Sequence, residues 1–387
     1  MLKKKVISLF WLGAFGIVLF YACTSEIEPL LNEDNLSIRV HWEPGQLLAN
    51  EDELELGVSW TMSSLGGFVP PGSLASGLVH HGNNEYTLRF LEFGFSIQAQ
   101  RAMERILTEL KGSGEYLQNG RVPLGRVVML MLNSSNHYYE ITEMPKTLSE
   151  FRSLYRFEGI EVALTGSTIA TSHRLLEVAS AESYAQIAHI GSESGEDFRP
   201  NRPFTAREFE TLDVMPNGNL RYAIYGPDGR LRPFADESLT IAGRPAKCMW
   251  CHESSIQPLF AADPALETDS TITAQEFLAI REVQLDLIAT FREGLNTEHD
   301  YFNRRNHQFM EWIYEDFMEP NAEFLAAEWG LSLNEVNQRL AGLTPHMRAG
   351  VPGFYHRKDV DGLAPFDVLR VPDAAREASE FEPNYFE

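Results

Sequence analysis

Positive charge is scarce in this chain of 387 residues: 32 Lys and Arg stand against 55 Asp and Glu, a formal net charge of -23. A nucleic-acid surface needs clustered Lys and Arg to displace counterions from phosphates, so this balance argues against nucleic acid as a partner. The acidity reads instead as a solvated, self-repelling surface. Familiar catalytic motifs are also missing. The sequence has no P-loop, no dinucleotide fingerprint, no H-E-x-x-H and no G-x-S-x-G, and no Lys-Ser or Lys-Thr follows the glycines of "SSLGGFVPPGSL". Internal repeats and low-complexity tracts are absent too. Cysteine is the rarest of the informative residues, with three in all, Cys23, Cys248 and Cys251.

What is present begins with a N-terminus unlike the rest. Lys3, Lys4 and Lys5 precede an apolar run from Val6 to Ala22, then Cys23, then the polar "TSEIEP". This is the layout of an export signal, and a plain transmembrane anchor is its rival because the run is close to the minimum that spans a bilayer. The stretch resembles a bacterial lipoprotein signal, although Phe20 and Tyr21 are bulkier than usual before the cysteine. The resemblance implies a signal peptide at 1–22, a lipid on Cys23, and a mature body held on a membrane outside the cytoplasm, facing the periplasm or the cell surface. Removal of the three lysines would take the net charge to -26.

The body reads as α+β, with 44% apolar and 22% charged residues, as in a soluble globular protein with length enough for two domains. Residues 23–195 are expected to form a mixed domain. In it "FSIQAQRAMERILTELKGSG" carries apolar residues at helical spacing, "RVVMLMLNSS" reads as a buried strand, and "TLSEFRSLYRF" reads as a short helix opened by Thr147. His137 reads as a satisfied histidine at a strand end. The Gly-, Ser- and Pro-rich stretch from Ile190 to Pro203 is the expected linker. Residues 196–387 are expected to hold a β-meander, "FETLDVM", "NLRYAIY" and "RLRPF" joined by the turns "PNG" and "GPDG", followed by helices. Thr273 and Glu276 spell a capping box for the first of these, and the tail after Arg370 reads as extended on the surface.

Directly after the meander stands "RPAKCMWCHESS". Zinc explains it poorly, since the chain offers no second cysteine pair and no H-x(3 to 5)-H pair to complete a tetrahedral site. A redox dithiol or a simple disulfide suits an exported protein but leaves His252 without a part, and Trp250 sits inside the pair rather than before it. The third reading uses all three residues. "CMWCH" resembles the attachment motif of c-type cytochromes, which implies one covalent haem c with thioethers on Cys248 and Cys251 and His252 on the iron. The small cytochrome fold does not carry over, because a meander precedes the motif here.

The second axial ligand is sought downstream. In "NRRNHQFMEWIYEDFMEP", His307, Met310, Tyr314 and Met318 share one helical face, so Met318 and His307 are the leading expectations, with Met310, His346 and Met347 in reserve. The resulting picture is a membrane-anchored monohaem cytochrome that passes electrons to a redox partner protein and makes no bonds. Its rivals are a peroxidase-like haem enzyme with an open distal site, and a non-haem surface-binding lipoprotein with a Cys248–Cys251 disulfide.

Overall fold

A computed structural model describes residues 32–165, 173–194, 204–258, 260–262 and 271–386. The expected signal peptide and Cys23 lie outside the described residues. The fold is α+β, and Glu33–Glu387 form one compact unit.

Four short strands open the chain: β1 (Ser37–His41), β2 (Leu78–Gly82), β3 (Glu85–Arg89) and β4 (Val122–Pro123), ordered β2-β3-β1-β4. Helices α1 (Glu51–Ser64), α2 (Ile97–Gly112), α3 (Leu124–Val128), α4 (Ser135–Ile141) and α5 (Leu148–Leu154) interleave with and follow them. α2 is the amphipathic helix expected, capped by Ser96 and buried through Met103, Ile106, Leu107 and Leu110. α5 starts at the capping box of Thr147 and Glu150.

"RVVMLMLNSS" is a helix and not the strand its apolar run suggests: α3 continues into a π-helical turn, Met129–Asn133, and all of these residues are buried. A short apolar run carries no period, and a helix buried on every side has no polar face to betray it. His137 is satisfied as expected, but within α4. Its Nδ1 lies 2.7 Å from the Leu130 carbonyl, and its Nε2 accepts the Tyr385 N–H at 3.0 Å.

The larger sheet is an antiparallel meander of β5 (Phe157–Thr165), β6 (Arg174–Ala179), β7 (Ala188–Glu193), β8 (Glu208–Val214), β9 (Leu220–Tyr225) and β10 (Leu231–Arg232), with β11 (Ala261–Ala262) on the outer edge of β5. The three strands and two turns expected between residues 209 and 234 are its last three members. The domain boundary expected at residue 195 falls inside this sheet, because β7 and β8 pair from Ala188↔Asp213 to Glu193↔Glu208.

Side chains lock the two halves together. In the "PNG" turn, Asn217 Nδ2 donates to the carbonyls of Ser63 (2.7 Å) and Gly67 (2.8 Å), at and just beyond the C-terminal end of α1. β10 reaches only Tyr225 and Ile224 of β9. The Tyr138 and Tyr139 hydroxyls of α4 accept the β9 N–H groups of Tyr222 and Ile224, protecting that edge.

After the sheet come α6 (Pro245–His252), α7 (Ala274–Glu293), α8 (Gln308–Met318), α9 (Ala322–Trp329) and α10 (Leu333–Leu340). The capping box of Thr273 and Glu276 opens α7 as expected. A hairpin, β12 (His346–Arg348) and β13 (Val351–Phe354), follows. No helix among the described residues is long and apolar enough to cross a membrane.

Candidate functional site

The motif lies on α6, a two-turn helix opened by Pro245 at its first position. On a helix a spacing of four returns to nearly the same face, so Cys248 and His252 point together into one cleft, while Cys251, one position before His252, is turned towards Arg376 and Glu311. Both cysteines are half-buried free thiols.

Arg244, the N-cap residue, anchors this helix. Its guanidinium is fully buried and donates to the Asn133 carbonyl in the π-helical turn (2.8 Å), Glu382 Oε2 (2.8 Å), Ser379 Oγ (3.0 Å) and the Glu377 carbonyl (2.9 Å). Lys247 adds bonds to the Ile241 carbonyl and Glu377, both 2.6 Å. The tail expected to lie extended on the surface therefore packs inward, because a buried guanidinium needs a ring of acceptors and residues 377–382 supply it.

The C-terminal end of α6 is reversed by two non-glycine residues in left-handed conformation, Glu253 (φ 45°) and Ser254 (φ 60°). Each costs about 1 kcal/mol or more. Surrounding bonds hold the turn: Ser254 Oγ donates to Asn219 Oδ1 (2.7 Å), and Arg292 donates to the carbonyls of Ser254 (2.8 Å) and Gly218 (2.9 Å). The reversal brings the Ser255 carbonyl to 3.2 Å from His252 Nδ1, which donates to it. His252 Nε2 makes no hydrogen bond among the described residues and remains available as a ligand atom. Metal-bound histidines are typically oriented in this way, by an acceptor on the other ring nitrogen.

Cys248 and His252 form one wall of a cleft against the face of the meander. The sheet register builds the opposite wall. Leu176, Gly191 and Glu210 stand in one cross-strand row, and His189, Leu212 and Tyr222 in the next. Phe260 and Phe277 line it as well. The Tyr222 and His252 rings are 5.5 Å apart, and Arg174 lies over the Phe260 ring at 3.8 Å while its Nη1 meets Glu210 at 3.1 Å. Gly191 has an ordinary backbone, and an added Cβ would find its nearest neighbour at 3.5 Å. Its missing side chain is thus room rather than a backbone requirement, as where a ligand approaches a strand closely.

His189 is the functional candidate that the sequence did not disclose. It is buried on β7, its Nε2 is 2.7 Å from Gln284 Oε1 on α7, and burial holds its pKa down at about 4. Burial likewise lowers His252 to about 4, with the Ser255 carbonyl opposing, so both imidazoles are neutral at pH 7. A neutral imidazole is the form that binds a metal. Only the strand register could have revealed His189, since 63 positions separate it from His252.

The expected second ligands lie elsewhere. His307 is buried at the start of α8, with its ring 5.2 Å from Trp60 of α1 and its Nδ1 3.3 Å from Glu311. It borders a separate depression with Trp250 and Trp312, on the side of α6 turned away from the cleft. Met310 is core, and Met318 is half-buried at the end of α8; neither lines the cleft, nor do His346 and Met347. His307, at the start of that helix, packs against Trp60 of α1 instead.

Burial pushes the Cys248 thiol well above its usual value and the Cys251 thiol up as well, which is the reverse of what an attacking dithiol needs. The donor set fits a c-type haem in kind: two protonated thiols and a pre-oriented imidazole stand within one short helix, and Cys248 and His252 line a largely apolar cleft. No protein-family model, no curated protein and no solved structure matches this chain.

Proposed function

We propose that the protein is a monohaem c-type electron carrier held on a membrane outside the cytoplasm by a lipid on Cys23. Cys248 and Cys251 would carry the thioether links, and His252 would bind iron through Nε2. The group supplies a one-electron couple whose potential its axial ligands and burial tune. The observation that carries this reading is the His252 imidazole, oriented by the Ser255 carbonyl and free at Nε2 beside two thiols. The chain's own residues orient that imidazole, exclude water with Leu176, Leu212 and Phe277, and present His189 from the opposite wall. A redox partner protein would receive the electron.

A second reading is favoured by the ion pair of Arg174 and Glu210, which lines the same cleft as His189. Such groups beside iron suit a haem enzyme with an open distal position, of peroxidase type.

The test is expression with a haem-attachment system. Haem that stays with the denatured chain, and is lost in Cys248→Ser/Cys251→Ser, is the expected result; a colourless protein rejects haem and leaves a surface-binding lipoprotein. His189→Ala should convert a low-spin ferric spectrum to high spin if His189 is the second ligand. A high-spin parent spectrum selects the enzyme reading.

A further inference from the structure

Away from the cleft, three side chains from separate elements converge on one surface point: Glu319 after α8, His346 at the start of β12 and His356 after β13. One ligand atom from each lies within 4.8 Å of the other two. The imidazoles are stacked, with centroids 4.3 Å apart and planes 17° from parallel. His346 Nε2 is buried and has no hydrogen-bond partner; it stands 3.6 Å from Glu319 Oε1, too far for a good bond. A buried acceptor or donor left in this state normally costs stability unless something fills its place.

The backbone holds the three together. The Tyr355 N–H donates to the Pro320 carbonyl at 3.0 Å, joining the neighbours of His356 and Glu319. Asn321 and Phe354 form an isolated bridge, and the register shift between His346 and Met347 re-aims the strand at His346. Arg348 takes the other carboxylate oxygen, Glu319 Oε2, at 3.0 Å and also pairs with Asp316 at 2.6 Å, leaving Glu319 Oε1 directed to the imidazoles. Ligands whose outer atoms are fixed in this way are pre-organised.

We propose that Glu319, His346 and His356 bind a divalent transition ion, Zn²⁺ in the first instance, with water in the fourth position. Two imidazole nitrogens and one carboxylate oxygen suit a borderline cation, whereas Ca²⁺ and Mg²⁺ require oxygen ligands. In a filled tetrahedral site the ligand atoms are about 3.4 Å apart, so the side chains close by about 1 Å on binding, within rotamer reach of half-buried Glu319 and His346 and exposed His356. The site is independent of the haem reading.

The experiment is calorimetric titration of the full-length chain with Zn²⁺ alone at pH 7. Cys23→Ser/Cys248→Ser/Cys251→Ser removes the thiols that could also take zinc. In that background one equivalent should bind, His346→Ala/His356→Ala should weaken binding at least about 100-fold, and Glu319→Gln should weaken it about tenfold, with circular dichroism unchanged. No binding by the thiol-free chain overturns the proposal, as does equal binding after loss of both histidines.

Discussion

His252 Nδ1 lies 3.2 Å from the carbonyl oxygen of Ser255, three residues further along the chain. A helix that continued past His252 would carry that carbonyl away from the ring. Only the left-handed pair Glu253 and Ser254 turns it back. The strain of that turn and the orientation of the imidazole are therefore one feature.

Glu253 gives a direct measure of this strain. Glu253→Gly relieves the left-handed backbone at the cost of an exposed ion pair to Arg304, and should change stability by less than about 1 kcal/mol. Glu253→Val should cost about 2 kcal/mol, because a β-branched residue is the worst fit to φ of 45°. Equal unfolding midpoints for the two variants would show that the turn is unstrained.

Gly191 tests the cleft. Gly191→Leu should fill the space before Cys248 and His252 while leaving the strand intact, since branched and larger side chains suit strands better than glycine. We expect the covalent haem yield to fall at least tenfold with unfolding of the apoprotein unchanged. Full haem loading would mean that the group sits elsewhere.

Arg126 is fully buried and meets Glu115 (2.8 Å), Glu328 (3.2 Å) and Asp361 (3.1 Å). Removing one partner from such a cluster strands the others, so Arg126→Leu should lose about 3–5 kcal/mol by denaturant unfolding. A loss under 1 kcal/mol would refute this account of the cluster.

The same cluster sets a pH dependence. Three carboxylates face two guanidiniums, Arg126 and Arg357, and burial raises Glu115 to about 8 from an ordinary 4.5. The native chain thus holds a proton that the unfolded chain releases, and stability falls as pH rises from about 4.5 to 8. His41, lowered to about 3 by burial and by Arg121, and His137, lowered to about 4 by burial, act in the other direction. Unfolding lets them take up protons near pH 6.5, so stability also falls as pH drops from there towards 4. Unfolding free energies across pH 4 to 8 should form a dome, and Glu115→Gln should flatten its alkaline side. An unchanged alkaline slope in that variant would exclude Glu115 as the cause.

The sequence by itself determined the features that nearest neighbours decide. The helical period of Ile97–Gly112, the capping boxes at Thr147 and Thr273, the hairpin turns at Pro216–Gly218 and Gly226–Gly229, and the three donors of "CMWCH" all follow from spacings of a few residues. Tertiary structure decided the rest. "RVVMLMLNSS" became helix because burial on all sides removes the polar face by which helices and strands differ in sequence. The linker composition near residue 195 concealed a continuous sheet, since pairing of β7 with β8 depends on partners and not on the loop between them. His307 packs against Trp60, a partner far away in the chain that no helical spacing names. The opposite wall of the cleft, with His189 and Gly191, is assembled by strand register across residues far apart in the chain, and no local spacing encodes that register.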